Sequence, residues 1–329
     1  MSNKIKVACV IPTQFAQKNS LILKKCIDSV IQQRRSIFSI DVFLVTNGCP
    51  SERSSFAGRA VKKTYYASAS SGFSDLNNFA LSQLLKNSEY ELVLFLNDDC
   101  WLDKEFFSSL GSLNDFFQKD VFIPKIMNPR TGETDSFGVE YFRSGYAKNI
   151  NLDQVDYQLF SATCVVVSTK LLKQLISSFG YVFNSLLYYY LEDVELAIRC
   201  RSLGATCSRE QRLLAYHLGS TSSGKKSRFT MYQTYRNIIW VTLICWPGKA
   251  LFRNLLNILL VQAWAFLISL LSFGPSLYFL IFCETIANRK KILSLRGNTL
   301  AGYDKKFLFS SILSQHSFRT HHGLVIPAV

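Results

Sequence analysis

The chain has 329 residues, of which 48% are hydrophobic, and it carries a formal net charge of +14. This length allows one large domain with an appendage. The charge favours anionic partners such as nucleotide phosphates or acidic lipid surfaces, but no strand interleaves aromatic and basic residues, so nucleic-acid binding is not expected. Nine scattered cysteines without a Cys-x-x-Cys pair, together with only four histidines, indicate free buried thiols and argue against a disulfide framework or a zinc cluster.

The first hundred residues alternate strand and helix patterns. We expect no signal peptide, because residues 1–6 are polar and lead directly into a short apolar strand. The predicted elements are a strand at 7–11, a helix at 21–33, a strand at 41–45, a helix at 74–87 and a strand at 91–96. This alternation predicts a parallel sheet with right-handed crossovers. The polar residues that follow its three strands should then lie at one edge of the sheet.

The middle of the chain predicts a strand at 160–168 and a helix at 171–176. Another helix follows Tyr190 and begins with Glu192 and Asp193. Acidic residues at a helix start interact favourably with its dipole, so capping explains this pair as well as a catalytic role does. Arg199, about two turns along, either anchors this helix or is a surface charge.

The composition changes after residue 238. No charged residue lies between Arg253 and Glu284, and this length satisfies the criterion for a membrane span. Gly274-Pro275 divides the run, so a span with a re-entrant turn, an interfacial hairpin and a buried helical hairpin all stay open. The basic residues that flank it suit anionic headgroups on the cytoplasmic side. We therefore predict a domain at 1–245 and a membrane-associated helical segment with a basic tail at 246–329, with residues 250–287 contacting the cytoplasmic face of the membrane.

Two adjacent carboxylates, Asp98 and Asp99, end the apolar strand at 91–96. Neighbouring carboxylates repel each other unless a cation or ordered hydrogen bonds compensate them. A divalent ion shared with a phosphate is their natural partner, although a polar turn after a core strand would look the same.

Further motifs follow a recognisable order along the chain. They are Ala8-Cys9-Val10-Ile11-Pro12-Thr13, Cys26-Ile27-Asp28-Ser29-Val30-Ile31-Gln32-Gln33, Val45-Thr46-Asn47-Gly48, Gly72-Phe73-Ser74-Asp75-Leu76-Asn77-Asn78, Leu96-Asn97-Asp98-Asp99, Tyr190-Leu191-Glu192-Asp193-Val194-Glu195-Leu196 with Arg199, and Ala215-Tyr216-His217-Leu218-Gly219-Ser220-Thr221-Ser222. In this order the set resembles the inverting family 2 glycosyltransferases of the GT-A fold, particularly the rhamnosyltransferase-like branch of cell-surface polysaccharide assembly. The resemblance covers roughly residues 5–245. It implies an α/β fold with a Rossmann-like, mostly parallel sheet flanked by helices.

The resemblance also implies a role for each matching residue. Binding of the nucleotide-sugar would fall to Pro12, Thr13, Asn47, Asn77, Asn97 and Asp98. Asp99 and His217 would ligate Mg²⁺ or Mn²⁺, and Asp193 would be the catalytic base, with Glu192 able to exchange roles with it. Two departures from the family pattern are Asn97 in place of an acid and Asp75, Leu76 and Ala80 where glycine is common.

The implied activity is transfer of a rhamnose-, galactose- or glucose-type sugar from a dTDP- or UDP-linked donor to a surface polysaccharide or a lipid-linked glycan. Aromatic residues such as Tyr141, Phe142, Tyr146 and Tyr188 would either stack on acceptor sugars or pack in the core. A nucleotidyltransferase is the first alternative, but residues 12–17 lack its glycine-rich phosphate loop. A non-catalytic membrane scaffold of the same fold is the second.

Overall fold

The structure is a computed structural model of the chain. It describes residues 4–13, 20–33, 37–48, 61–87, 89–151, 159–219, 227–314, 316–319 and 325–327.

Strands and helices alternate through much of the described chain. In the first half they are β1 (Ile5–Thr13), α1 (Ser20–Ile31), β2 (Phe38–Thr46), β3 (Val61–Tyr66), α2 (Phe73–Leu84), β4 (Leu92–Leu96), β5 (Cys100–Leu102), α3 (Phe106–Gly111), β6 (Val121–Met127), β7 (Thr134–Ser136), β8 (Val139–Tyr141) and β9 (Ala147–Asn149). In the second half they are β10 (Cys164–Ser168), α4 (Thr169–Phe179), α5 (Glu192–Ser202), β11 (Cys207–His217), α6 (Arg228–Cys245), α7 (Gly248–Arg253), α8 (Leu255–Phe273), α9 (Ser276–Ala287), α10 (Arg289–Ala301), β12 (His316–Arg319) and β13 (Val325–Pro327).

Nine strands form the central sheet, in the order β3-β2-β1-β4-β10-β6-β11-β5 with β7 beside β6. The predicted strands β1, β2 and β4 are adjacent and parallel. β10 runs antiparallel to both of its neighbours, so the second half of the sheet is mixed. The prediction of an α/β fold of the GT-A type is confirmed.

Alternate residues of the buried strands enter two hydrophobic cores, one on each face of the sheet. In β1, Val7, Cys9 and Ile11 pack in one core, while Ala8 and Val10 pack in the other. This follows from the two-residue repeat of a strand that is covered by helices on both faces.

The C-terminal helices differ sharply in exposure. α10 packs against α6, and the Arg296 guanidinium donates to the Leu243 carbonyl at 2.5 Å. α8 and α9, in contrast, leave most of their large apolar side chains exposed, including Trp264, Leu271 and Phe279. The predicted domain boundary falls where α6 ends, and the division of the chain stays a prediction.

Eight of the nine cysteines lie in the described chain, and all eight are free thiols, in agreement with the prediction. Six are buried, Cys207 is half-buried and Cys283 in α9 is exposed. Burial raises the pKa of the Cys26, Cys200 and Cys245 thiols well above their ordinary value. These buried cysteines are therefore neutral core residues.

Candidate active site

The carboxyl ends of β1, β2 and β4 meet at one edge of the sheet. There the Thr13 hydroxyl donates to Oδ2 of Asp98 at 2.8 Å. Pro12 pairs with Val45 of β2. Asn47, just beyond β2, donates its side-chain amide to the Ser71 carbonyl at 2.8 Å. The strand order thus brings together residues that are far apart in sequence.

Asp98 is half-buried at this edge. Burial raises the pKa of Asp98 to about 6; the hydrogen bond from Thr13 opposes this rise, and the negative charge of Asp99 adds to it. The ionised form of Asp98 therefore carries a desolvation cost that a bound cation or a hydrogen-bonding ligand would reduce.

His217 reaches Asp99 because β11 pairs antiparallel with β5, which places His217 opposite Cys100. Its Nε2 lies 3.3 Å from Oδ1 of Asp99, and its Nδ1 lies 2.8 Å from Oδ2 of Asp135. Burial alone would lower the pKa of His217, but the hydrogen bonds to Asp135 and Asp99 and the charge of Asp99 raise it to about 10. Asp135 therefore fixes the orientation of the imidazole from the side opposite Asp99.

Asp99 and His217 fit a divalent metal as a partial set of ligands, provided that the ion displaces the proton from Nε2 of His217. In the described part of the chain, no three His, Cys, Asp or Glu side chains cluster as a full metal site would require. Mg²⁺ sites are commonly built from one or two carboxylates completed by waters and substrate phosphates. Adjacent ligands of an octahedral ion with bonds of about 2.1 Å lie roughly 3 Å apart, and Oδ1 of Asp99 and Nε2 of His217 have about this spacing. The other ring nitrogen, Nδ1 of His217, donates a hydrogen bond to Asp135, which is the usual support for a metal-bound histidine.

The predicted acid pair lies at the first turn of α5. Oδ2 of Asp193 accepts from the Ala162 backbone N–H at 3.2 Å, and Oδ1 accepts from the Val194 N–H at 2.8 Å. The Thr163 carbonyl accepts from the Asn97 backbone N–H at 2.9 Å. Residues 161–163 therefore connect Asp193 to the end of β4 that carries Asp98 and Asp99.

Both acids of this pair have perturbed pKa values. Burial raises the pKa of Asp193, although hydrogen bonds from Ser161, Ala162 and Val194 oppose the rise. Burial and the charge of Asp193 raise the pKa of Glu192 well above its ordinary range. Oε2 of Glu192 has no hydrogen-bond partner among the described residues. Glu192 is thus a neutral acid. The adjacent Asp193 accepts hydrogen bonds that favour its ionised form.

The turn that precedes α5, residues 187–191, has an unusual backbone. Tyr188, Tyr190 and Leu191 all have positive φ, at 63°, 68° and 62°. The fully buried Asn237 of α6 stabilises this turn by donating its side-chain amide to the carbonyls of Leu187, Tyr189 and Tyr190, at 2.7, 2.8 and 2.7 Å.

Two further contacts hold the 187–191 turn. A Cβ at Gly72 would lie 2.7 Å from the Tyr188 carbonyl oxygen, so glycine permits this close approach. Arg236 donates to the Leu187 carbonyl at 3.1 Å and forms an ion pair with Glu284 of α9, also at 3.1 Å. The turn is therefore connected to the apolar helices as well as to the core.

Arg199 is an anchor of α5, not a surface charge. It is fully buried, and its Nε donates to both carboxylate oxygens of Glu195 at 2.9 and 3.0 Å. Its Nη1 donates to the Tyr181 carbonyl at 3.1 Å. The ion pair thus joins α5 to the segment that leads into the 187–191 turn.

Several residues that the sequence predicts at the site are buried below the exposed edge of the sheet. Asn77 is fully buried in α2 and donates to the Phe73 carbonyl at 2.9 Å. The side-chain oxygens of Asn77 and Asn97 lack partners in the described residues. Tyr141 and Phe142 are fully buried, which makes core packing their role. Residues 220–222 of the histidine motif, and 14–17 of the loop after β1, lie outside the described residues.

Sequence reasoning missed Asp135 and Asn237, because a lone acid and a lone asparagine carry no pattern in the sequence. Gly72 belongs to a motif of the resemblance, but its contact with Tyr188 was not predicted. Arg236 and Asn237 are adjacent polar residues on the buried side of α6, and this burial indicates that they form hydrogen bonds with other parts of the chain.

The chain matches no family model. It is 26% identical, over 176 residues and 50% of its length, to the low-salt glycan biosynthesis hexosyltransferase Agl10 of Haloferax volcanii, and it spans about half of that curated relative (55%). Among solved structures, it is similar to GalNAc-T7 with UDP, GalNAc and Mn²⁺, with 12% identity, a TM-score of 0.53 and coverage of 75% of this chain and 49% of that one. It is also similar to the mannosyltransferase PcManGT from Pyrobaculum calidifontis in complex with GDP-Man and Mn²⁺, with 11% identity, a TM-score of 0.51 and coverage of 92% and 86%. The chain therefore has a glycosyltransferase-like fold.

Proposed function

We propose that this chain is an inverting, metal-dependent glycosyltransferase of family 2, in its rhamnosyltransferase-like branch. It would move a hexose from a dTDP- or UDP-linked donor to a cell-surface polysaccharide or a lipid-linked glycan. The observation that carries this proposal is the arrangement of two sites along one sheet edge. Asp99 and His217 would form a two-ligand metal position, and the half-buried Asp193 is connected to the same strand end through residues 161–163.

The nucleotide-diphospho-sugar would bind across the ends of β1, β2 and β4. Pro12, Thr13 and Asn47 are the candidates for the nucleoside, and Asp98 for the ribose or sugar. GalNAc-T7 with UDP and Mn²⁺ and PcManGT with GDP-Man and Mn²⁺ support a nucleotide-sugar and a divalent ion here. A divalent ion held by Asp99 and His217 would neutralise the charge that develops on the departing diphosphate.

Asp193 would act as the general base. Its carboxylate accepts the proton of the acceptor hydroxyl while that oxygen bonds to the anomeric carbon, from the face opposite the diphosphate, whose bond to the sugar breaks. A raised pKa makes Asp193 a stronger proton acceptor than an ordinary aspartate. Because Glu192 is held neutral, it adds no second negative charge beside the base.

The apolar helices would associate with the cytoplasmic face of the membrane. Within the described residues, α8 is the one helix long and apolar enough to cross a bilayer. Only 22% of its most apolar 18-residue stretch is buried, whereas a helix in the core of a soluble domain is mostly buried. Contact through residues 250–287 would bring the site close to lipid-linked acceptors.

The test is a screen of UDP-, dTDP- and GDP-sugars for release of the nucleoside diphosphate, with Mn²⁺, with Mg²⁺ and with a chelator. We expect metal-dependent turnover of one donor. Asp193→Ala should abolish transfer but keep donor binding, and Asp99→Asn should weaken metal-dependent donor binding.

Asp115→Asn is the matched control, because Asp115 is a surface acid paired with Lys119 and lies in no predicted site. It should leave turnover unchanged. Absence of binding and turnover with every donor would refute the proposed activity, and retention of the anomeric configuration in the product would refute the inverting mechanism.

A further inference from the structure

The apolar helices end at a basic segment. α9 exposes Phe282 and Ile286 by 63% and 46%, and α10 begins directly afterwards with Arg289, Lys290 and Lys291. A bilayer that covered the apolar side chains would therefore bring its headgroups close to these cations.

An open cavity of about 670 Å³ lies at this junction, between α10 and the segment that precedes the 187–191 turn. Both charged residues that line it are lysines, Lys290 and Lys291. Ser185 and Ser294 contribute hydroxyl groups, and aromatic and leucine side chains form most of the remaining wall. The cavity thus combines hydrogen-bond donors and positive charge with an apolar surface, which suits an anionic amphiphile.

Asn184, which also lines the cavity, has an unused hydrogen-bond donor. Asn184 is 2% exposed, and its Oδ1 accepts from the Leu186 N–H at 3.1 Å, which fixes the orientation of the amide. Its Nδ2 has no partner among the residues that the structure describes. A buried donor without an acceptor is rare in folded proteins, and an ordered water or a bound anion in the cavity would satisfy it. Beside two ammonium groups, the favoured ligand would be an anion with several acceptor oxygens.

We propose that this cavity binds the phosphate of an anionic phospholipid in the bilayer on which α8 and α9 lie. Lys290 and Lys291 provide the charge, Ser294 and Asn184 provide further donors, and the apolar wall contacts the glycerol and acyl region of the lipid. The proposal builds on the membrane association proposed above and does not depend on the catalytic activity.

The test is co-sedimentation of the full chain with two kinds of vesicle, phosphatidylcholine alone and an equimolar mixture of phosphatidylcholine and phosphatidylglycerol. The wild-type chain should bind the anionic vesicles more tightly. A basic residue near an anionic membrane contributes about 1 kcal/mol, so Lys290→Gln/Lys291→Gln should weaken that binding roughly 30-fold. Binding to phosphatidylcholine alone, which depends on the apolar helices, should not change.

Lys305→Gln/Lys306→Gln is the matched control, because these two lysines are also adjacent, exposed and C-terminal to α9, yet they do not line the cavity. An equal loss with both double variants would show that diffuse surface charge is responsible and would overturn the proposal. Ser294→Trp fills the cavity from an exposed helix position without changing the charge, and it should also remove the preference for phosphatidylglycerol. A preference that survives Ser294→Trp would overturn the cavity as the site.

Two further outcomes separate the proposal from its alternatives. If inorganic phosphate binds in calorimetry, and Lys290→Gln/Lys291→Gln abolishes this binding without affecting vesicles, the ligand is a soluble phosphate and the lipid assignment is wrong. If the wild-type chain binds no vesicle, both this proposal and the membrane association fail, while the donor screen remains an independent test of the catalytic function.

Discussion

Replacing Asn237 by Asp is expected to slow sugar transfer about 100-fold while leaving donor binding intact. A left-handed backbone costs a non-glycine residue about 1–2 kcal/mol, so the three such residues of the 187–191 turn together cost roughly 3–6 kcal/mol. The Asn237 amide has two N–H groups that serve three carbonyls. Each buried acceptor left without a donor costs about 1–3 kcal/mol. The stabilisation by Asn237 and the strain are therefore of similar size, and losing the amide should let the turn relax.

Relaxation of the turn would displace the first turn of α5, which carries Asp193. A displacement of about 1 Å at a reacting group commonly costs about 100-fold in rate. The assay is steady-state transfer with the donor identified by the screen. kcat should fall and the KM for the donor should not, because Thr13, Asn47 and Asp98 lie at or just beyond the ends of β1, β2 and β4, whereas the Asn237 amide donates to the 187–191 turn. Asn254→Asp is the matched control, since Asn254 is also buried but donates only to Ala250 of the preceding helix.

The same substitution in the Asp193→Ala variant tests this prediction further. If Asn237 acts only through the position of Asp193, Asn237→Asp should have no further effect on the residual rate of Asp193→Ala, because residues that act as a unit are not additive. An additional 100-fold loss in that background, or a change confined to the KM for the donor, would refute the reasoning.

Three other substitutions test the packing around the site. Arg199→Met leaves the Glu195 carboxylate buried without its partner and should lower the free energy of unfolding by about 3–5 kcal/mol in urea titrations. Gly72→Ala places a Cβ against Tyr188 and should cost about 1–3 kcal/mol by the same measurement, together with a loss of transfer activity. Glu192 holds a proton in the folded chain that it loses on unfolding at neutral pH, so its contribution to stability falls as pH rises above 5. Glu192→Gln should therefore reduce the decline of unfolding free energy between pH 5 and 8 by up to about 1.4 kcal/mol per pH unit.

Each of these three substitutions has a control or an outcome that would contradict it. Glu195→Leu/Arg199→Met should recover much of the stability lost in the single variant, since it removes both buried charges. Gly297→Ala, where a Cβ meets nothing within 4 Å inside α10, should be neutral or stabilising. A pH dependence that is the same in Glu192→Gln as in the wild-type chain would contradict the neutral state assigned to Glu192.

The first half of the fold, in which strands and helices alternate, could be predicted from the sequence because each element is marked by its own residues. The apolar runs of β1, β2 and β4 have the length and β-branched content of buried parallel strands, and the polar residues after them had to meet at one edge. The C-terminal apolar helices were readable for the same reason, since a charge-free run needs no partner to be recognised.

The second half of the sheet could not be predicted from the sequence, because its strands depend on pairing with distant parts of the chain. β11 contains three charged residues and a register shift, so neither alternation nor an apolar run marks it as a strand. Its pairing with β5 is nevertheless what brings His217 to Asp99. The backbone of the 187–191 turn was equally hidden, since tyrosine and leucine rarely adopt positive φ without outside support. That support comes from Asn237 in another helix.

The exposure of the cysteines offers a direct way to follow the apolar helices experimentally. Among the described thiols, Cys283 alone is exposed, and it lies within α9. Thiolates react and buried neutral thiols do not, so a maleimide dye should mark α9 in preference to the core cysteines. An environment-sensitive dye at this natural position would report whether α9 enters lipid, without the introduction of a single new residue.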